Sequence, residues 1–159
     1  MKDSSNFSFA ERVESLKAGS VAGFSVFLSF GSIALVNTLI LAQRWDFLAS
    51  LEVRAIDLNF GLRGVMALLG GFLFGVTYRY AIRRDTNPHL KSGVVLAFGL
   101  VRAFGQLDAG LSFEAGKMPG LQELWPFAVV GVESVVLFAI AGLVLDWAIR
   151  RFWIKPFDS

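Results

Sequence analysis

Five polar side chains stand where hydrocarbon would ordinarily exclude them. Arg63, Arg102, Gln106, Asp108 and Glu133 all fall inside, or at the edge of, long apolar runs. Three of them belong to the run from Ser92 to Phe113, around which the rest of the chain is arranged. A lone charge at the centre of a bilayer costs between about 3 and more than 10 kcal/mol, so partners are expected. Two cations, Arg63 and Arg102, can balance two carboxylates, Glu133 and Asp108, in one polar layer of the outer leaflet. Arg102 with Glu133 is the first pairing to consider. Counted at 1.5 Å per residue from the basic ends, however, Arg102 lies roughly 16 Å deep and Glu133 roughly 25 Å. Their side chains also lean toward helix N-termini that point opposite ways. Arg63 is the alternative partner for Glu133.

Three chemistries are open to such a layer. It can be an ion-pair network that fixes helix register, a polar site for an ion, proton or anionic small molecule, or a docking point for a partner helix or pigment. Glu133 or Gln106 offers the oxygen that a chlorophyll magnesium prefers, but no pattern marks either for it. No cofactor is expected, and association with chlorophyll or carotenoid has no residue support. Catalysis is equally unsupported. The single histidine, His89, stands beside Pro88 and Lys91 in a polar turn, and there is no cysteine. That excludes a structural zinc site, a bis-histidine haem and a thiolate nucleophile. No serine-hydrolase, zinc-protease or phosphate-loop motif occurs, and no lysine lies inside a span to form a Schiff base. The expectation is a protein that is not an enzyme.

The elements that must hold these residues are transmembrane helices. Of 159 residues, 55% are hydrophobic and only 18% charged. Four runs (about 18–42, 61–82, 92–113 and 126–149) each reach the roughly 20 residues that cross 30 Å of hydrocarbon. The net charge of +2 is too small to argue for nucleic acid. Residues 1–17 lack the pattern of a signal peptide and are expected to be retained as a polar N-terminal segment. The stretch 43–60 is too charged to span, and its spacing suits a short interfacial helix in the outer loop. Asn87-Pro88 marks a reversal between the second and third runs. The expected fold is all-α: a polytopic membrane protein whose hairpins are 18–84 and 85–151, with a short tail, 152–159.

Lysine and arginine set the orientation. Lys2, Arg12, Lys17, Arg79, Arg83, Arg84, Lys91, Arg150, Arg151 and Lys155 fall on one side; only Arg44, Arg54 and Lys117 fall on the other. Basic loops stay cytoplasmic, so both termini are expected there, with Arg79, Arg83, Arg84, His89 and Lys91 forming a basic turn.

The halves also match each other. Leu16-Lys17-Ala18-Gly19 returns as Leu90-Lys91-Ser92-Gly93, and Ala81-Ile82-Arg83-Arg84 returns as Ala148-Ile149-Arg150-Arg151. Both halves enter from the same side, which makes this a parallel repeat about an axis along the membrane normal. Gly19 with Gly23, and Gly71 with Gly75, have the spacing that lets helix backbones approach in lipid. Gly99, Arg102, Gly105, Gln106 and Ala109 share a small-and-polar face that should look inward.

The stretch Tyr80-Ala81-Ile82-Arg83-Arg84-Asp85-Thr86-Asn87-Pro88-His89-Leu90-Lys91-Ser92-Gly93, running on through Phe98 and Gly99 to Arg102, resembles a group of uncharacterised integral membrane proteins of cyanobacteria and plastids. The resemblance implies a thylakoid or plasma membrane and a cytoplasmic or stromal basic turn; it carries over no activity. The function expected first is a non-enzymatic scaffold or assembly factor that binds other membrane proteins or pigment–protein complexes. A small transporter or channel using the polar layer, as an oligomer, is the second. Membrane lipids, other membrane proteins and a second copy of the chain are the expected partners.

Overall fold

A computed structural model describes residues 9–41, 58–83, 85, 87–110 and 121–157. Four long helices account for most of them: α1 (Phe9–Val36), α2 (Leu58–Ile82), α3 (Pro88–Gly110) and α4 (Leu121–Arg150). A π-helical turn, Asn37–Leu41, continues α1. Each helix is long and apolar enough to cross a membrane. The predicted interfacial helix over 46–60 falls largely on 42–57, outside the described residues; Leu58, Asn59 and Phe60 belong to α2.

α1 begins nine residues before the apolar run does, at Phe9 rather than Ala18. The extension is helical because its polar residues have work on one face. Glu11, Ser15, Ala18, Ala22 and Val26 recur at helical spacing, and the last four are buried. α3 starts at Pro88, four residues before the apolar run predicted from Ser92. Asn87 caps it, its side-chain oxygen accepting the His89 amide at 2.9 Å, while Asp85 accepts the Asn87 amide at 2.8 Å. Pro88 then occupies the first helical position, where no amide hydrogen is needed.

α1 and α2 pack backbone to backbone. A Cβ at Gly71 would lie 2.8–2.9 Å from Val26, Ala22 O and Gly23 Cα, and one at Gly23 would lie 3.0 Å from Leu68 O. The paired glycine spacings are therefore intramolecular, each emptying a groove for the other helix. Gly99 does the same on the other hairpin, since its Cβ would meet Val135 Cα at 2.8 Å. Between the hairpins the centre is aromatic: the Phe74 ring lies 5.2 Å from Phe138 and 5.4 Å from Phe98, and Phe98 lies 5.6 Å from Phe138. Offset and edge-on rings at this spacing attract beyond their buried area. Outside this core the surface is hydrocarbon. Leu28, Met66, Val101 and Leu143 are all more than 60% exposed. Such faces suit lipid and would be an aggregation hazard in water.

The end of α4 closes in a Schellman turn. Trp153 N donates to Ala148 O and Phe152 N to Ile149 O, each at 3.0 Å, with Phe152 at φ 60°. That conformation suits glycine and costs an L-residue roughly 1 kcal/mol or more. Phe152 is 88% exposed and has little packing to lose. Phe152→Gly should therefore raise the stability of the detergent-solubilised protein by about 1 kcal/mol, read from reversible unfolding followed by circular dichroism. The turn sends the tail back over the bundle, where Ile154 is buried and Phe157 lies 4.9 Å from the Tyr80 ring.

Candidate functional site

The residues expected to form one polar layer do not meet as one. Arg102 on α3 and Glu133 on α4 do not pair: Arg102 Nε and Glu133 Oε1 are both shielded and have no hydrogen-bond partner among the described residues. Their helices run in opposite directions, so the two side chains lean apart along the bundle axis. Arg102 instead has Arg63 close enough for the guanidinium charges to repel. Glu133 has the Asn37 side chain as its nearest polar neighbour, across the gap between α4 and α1. Gln106 accepts the Ser134 hydroxyl at 3.0 Å, stitching α3 to α4, and Ser134 also reaches Val130 O at 2.8 Å. Asp108 and Arg63 are exposed. One layer of two balanced pairs is thus corrected to three separate polar contacts.

The inward face predicted for α3 also needs correction. Gly99 is buried and Arg102 and Gln106 are half-buried, but a Cβ on Gly105 would meet nothing within 4 Å. Gly105 looks outward, as Gly93 does. The side chain of Ala109 is outside the described residues.

The strongest polar assembly lies at the end of the bundle that carries both chain ends, and the sequence reading passed over it. Arg79 was counted with the basic turn, yet it is 1% exposed. Its Nη2 pairs with the Glu11 carboxylate, Nη1 donates to Ser15 Oγ at 2.8 Å, and Nε donates to Lys155 O at 2.8 Å. The Phe157 ring lies under this guanidinium at 5.5 Å and under that of Arg83 at 5.7 Å. Glu14 adds a second clasp by accepting the Lys155 amide at 2.9 Å, while Lys17 holds Glu14 at 2.7 Å. One cation therefore ties α1, α2 and the tail together.

A second assembly ties the other hairpin to α2. Asp146 on α4 accepts Tyr78 OH from α2 at 2.9 Å and Lys91 Nζ from α3 at 2.7 Å. Lys91 also leaves the supposed basic patch. Of that patch, Arg83 and His89 are exposed, Arg79 and Lys91 are engaged inside the fold, and Arg84 is outside the described residues. The basic turn is not one surface.

Helical spacing could have located the hub. Gly71, Gly75 and Arg79 are separated by four residues each, so the arginine continues the glycine face toward α1. Glu11, Ser15 and Gly19 repeat that spacing on α1. Asn37 and Ser134 carried no comparable signal: each sits beside one other polar residue in an otherwise apolar run.

Compared with models of known protein families, with curated proteins and with solved structures, the chain matches none.

Proposed function

We propose that the chain is a non-enzymatic membrane scaffold or assembly factor, docking another membrane protein or a pigment–protein complex along α3. The carrying observation is how little of α3 its own chain covers. Only 6% of its most apolar window is buried, against 22–33% for the other three helices. Its outward side carries Gly93, Ala97 and Gly105, so a partner helix could approach closely there, which is how helices associate in lipid. Both polar assemblies at the terminal end are internally satisfied, which favours a rigid adaptor over a moving part.

The charge distribution supports termini in the cytoplasm or stroma, and the resemblance of residues 80–102 supports a thylakoid or plasma membrane. A parallel duplication gains support from the terminal-end contacts. In the register of the two helix exits Arg79 aligns with Asp146, and each pairs with an opposite charge near the start of the preceding helix.

Transport is the second reading, favoured by Arg102 Nε, shielded and unpartnered beside Arg63. The Phe74, Phe98 and Phe138 cluster fills the middle of a single chain, so a path would have to run between copies.

A tagged chain purified in gentle detergent should migrate with a larger complex on native gels. Gly93→Leu with Gly105→Leu, which meet open space within this fold, should release that complex without unfolding the chain. Arg102→Lys should leave it assembled. A homo-oligomer alone, or a complex indifferent to the double variant, would overturn the docking reading. Loss of flux in Arg102→Lys would favour transport.

A further inference from the structure

Two cations come together toward the end of the bundle opposite the chain termini. Arg63 stands five residues, about 7.5 Å, from the start of α2, and Arg102 eight residues, about 12 Å, from the end of α3. Arg63 precedes Gly70 by seven residues and Phe74 by eleven, so it continues the face of α2 that turns to the other hairpin. On that face a Cβ at Gly70 would lie 3.8 Å from Phe138, and the Phe74 ring lies 5.4 Å from Phe98. Arg102 stands one turn beyond Phe98 on α3. The two guanidinium charges are close enough to repel. Only Nε of Arg102 is closed off; its terminal nitrogens stay open and have no acceptor among the described residues. Arg63 is exposed and equally without one.

The carboxylates described at this end do not answer them. Asp108 follows Arg102 by six residues and so projects from another side of α3. Glu133 is on the α1 side of α4, beside Asn37. An unpaired guanidinium in hydrocarbon is costly, and a second one beside it adds repulsion, so the pair calls for an anion. The surroundings narrow its source. Leu62, Met66, Leu69 and Leu73 recur at helical spacing beside Arg63 and are 49–61% exposed. A soluble anion held here would lose its hydration against hydrocarbon. A lipid brings anion and tails together. Its phosphate takes the forked donors of two arginines, and its acyl chain covers the apolar stripe. Long arginine side chains also reach from within the hydrocarbon toward the headgroup level.

We propose that Arg63 and Arg102 together hold the phosphate of an anionic membrane lipid, in the leaflet opposite the chain termini, with an acyl chain lying along Leu62, Met66, Leu69 and Leu73. The site requires no partner protein, so it stands or falls independently of the scaffold reading.

The test uses the whole chain and compares phosphatidylglycerol with phosphatidylcholine of the same acyl chains, whose choline cancels the phosphate charge. Binding is read by native mass spectrometry and by the shift in unfolding temperature. Phosphatidylglycerol should bind at least about tenfold more tightly, the yield of charge-assisted hydrogen bonds to its phosphate. Arg63→Gln should remove most of that preference, and Arg102→Gln should do the same. Arg150→Gln, which removes an exposed cation at the other end of the bundle, should leave it unchanged. Because Arg63 is exposed, its variant is expected to fold even if Arg102→Gln does not. No preference in the unaltered chain would overturn the proposal. So would a preference that Arg63→Gln leaves intact, or equal competition from glycerol phosphate, the headgroup without tails, which would make the occupant a soluble anion. Release of a protein partner by Arg63→Gln, with no lipid preference in the isolated chain, would place a protein carboxylate there instead and overturn it too.

Discussion

Arg79→Met should destabilise the protein by about 3–5 kcal/mol, the cost of removing one partner from a buried ion pair. The methionine stem replaces the aliphatic part of the side chain, so the loss is electrostatic and hydrogen-bonded. Glu11 would keep its charge without its cation, and Ser15 Oγ and Lys155 O would lose donors that now stand at 2.8 Å. Arg79→Lys should recover little, because one ammonium cannot serve three acceptors in three directions and stack on Phe157 as a planar guanidinium does. Glu11→Gln combined with Arg79→Met should be milder than Arg79→Met alone, since no bare carboxylate remains. Unfolding in mixed micelles, followed by circular dichroism, measures all four proteins. A loss below about 1 kcal/mol for Arg79→Met would mean that the pair behaves as a solvated surface bridge. The tail should respond as well: without the Arg79–Lys155 contact, chymotrypsin cleavage after Trp153, which is already 65% exposed, should be faster, and this can be timed under folding conditions.

Gly71→Leu should be strongly damaging in the apolar core, at about 3 kcal/mol or more. Its first side-chain carbon alone would stand 2.9 Å from Ala22 O and from Gly23 Cα. Those are backbone atoms of α1, which can yield only by moving the helix. The separation of α1 from α2 would also loosen the Arg79 hub, because that hub spans the same seam one turn beyond Gly75. Gly105→Ala is the matched control. A Cβ there meets nothing within 4 Å, so the exchange should be neutral or stabilise α3 by up to about 1 kcal/mol through lower chain entropy. Equal effects from the two substitutions would mean that α1 and α2 do not interlock as described. A large loss from Gly105→Ala in native membrane, with none in the isolated chain, would instead mark α3 as covered by a partner.

These expectations differ sharply in how far they were legible in the residues. Gly19, Gly23, Gly71 and Gly75 announced a close helix–helix approach, and the approach is there. Asn87-Pro88 announced a chain reversal, and the structure adds that Asn87 caps a helix beginning at Pro88. The intramembrane pairing was misjudged. Arg102 and Glu133 were matched by charge in spite of unequal depths and side chains leaning opposite ways, and those two obstacles prevail in the structure. Arg79 was misjudged in the other direction. Its closeness to Arg83 and Arg84 in the chain suggested one solvated basic patch, but it lies on the face of α2 that turns toward α1.

Taken alone, the sequence determined the number of helices long and apolar enough to span a membrane, their approximate limits and the glycine faces along which α1 and α2 meet. Run length, hydropathy and four-residue spacing are local properties, and a bilayer about 30 Å thick converts them directly into structure. Only the tertiary structure decided which polar groups meet: Arg79 with Glu11 and the returning tail, Asp146 with Tyr78 and Lys91, Glu133 with Asn37. Those contacts join residues 55 to 96 positions apart, and they depend on how each helix is rotated about its axis and which neighbour it faces. Small differences in packing set these quantities, and no single stretch of chain encodes them.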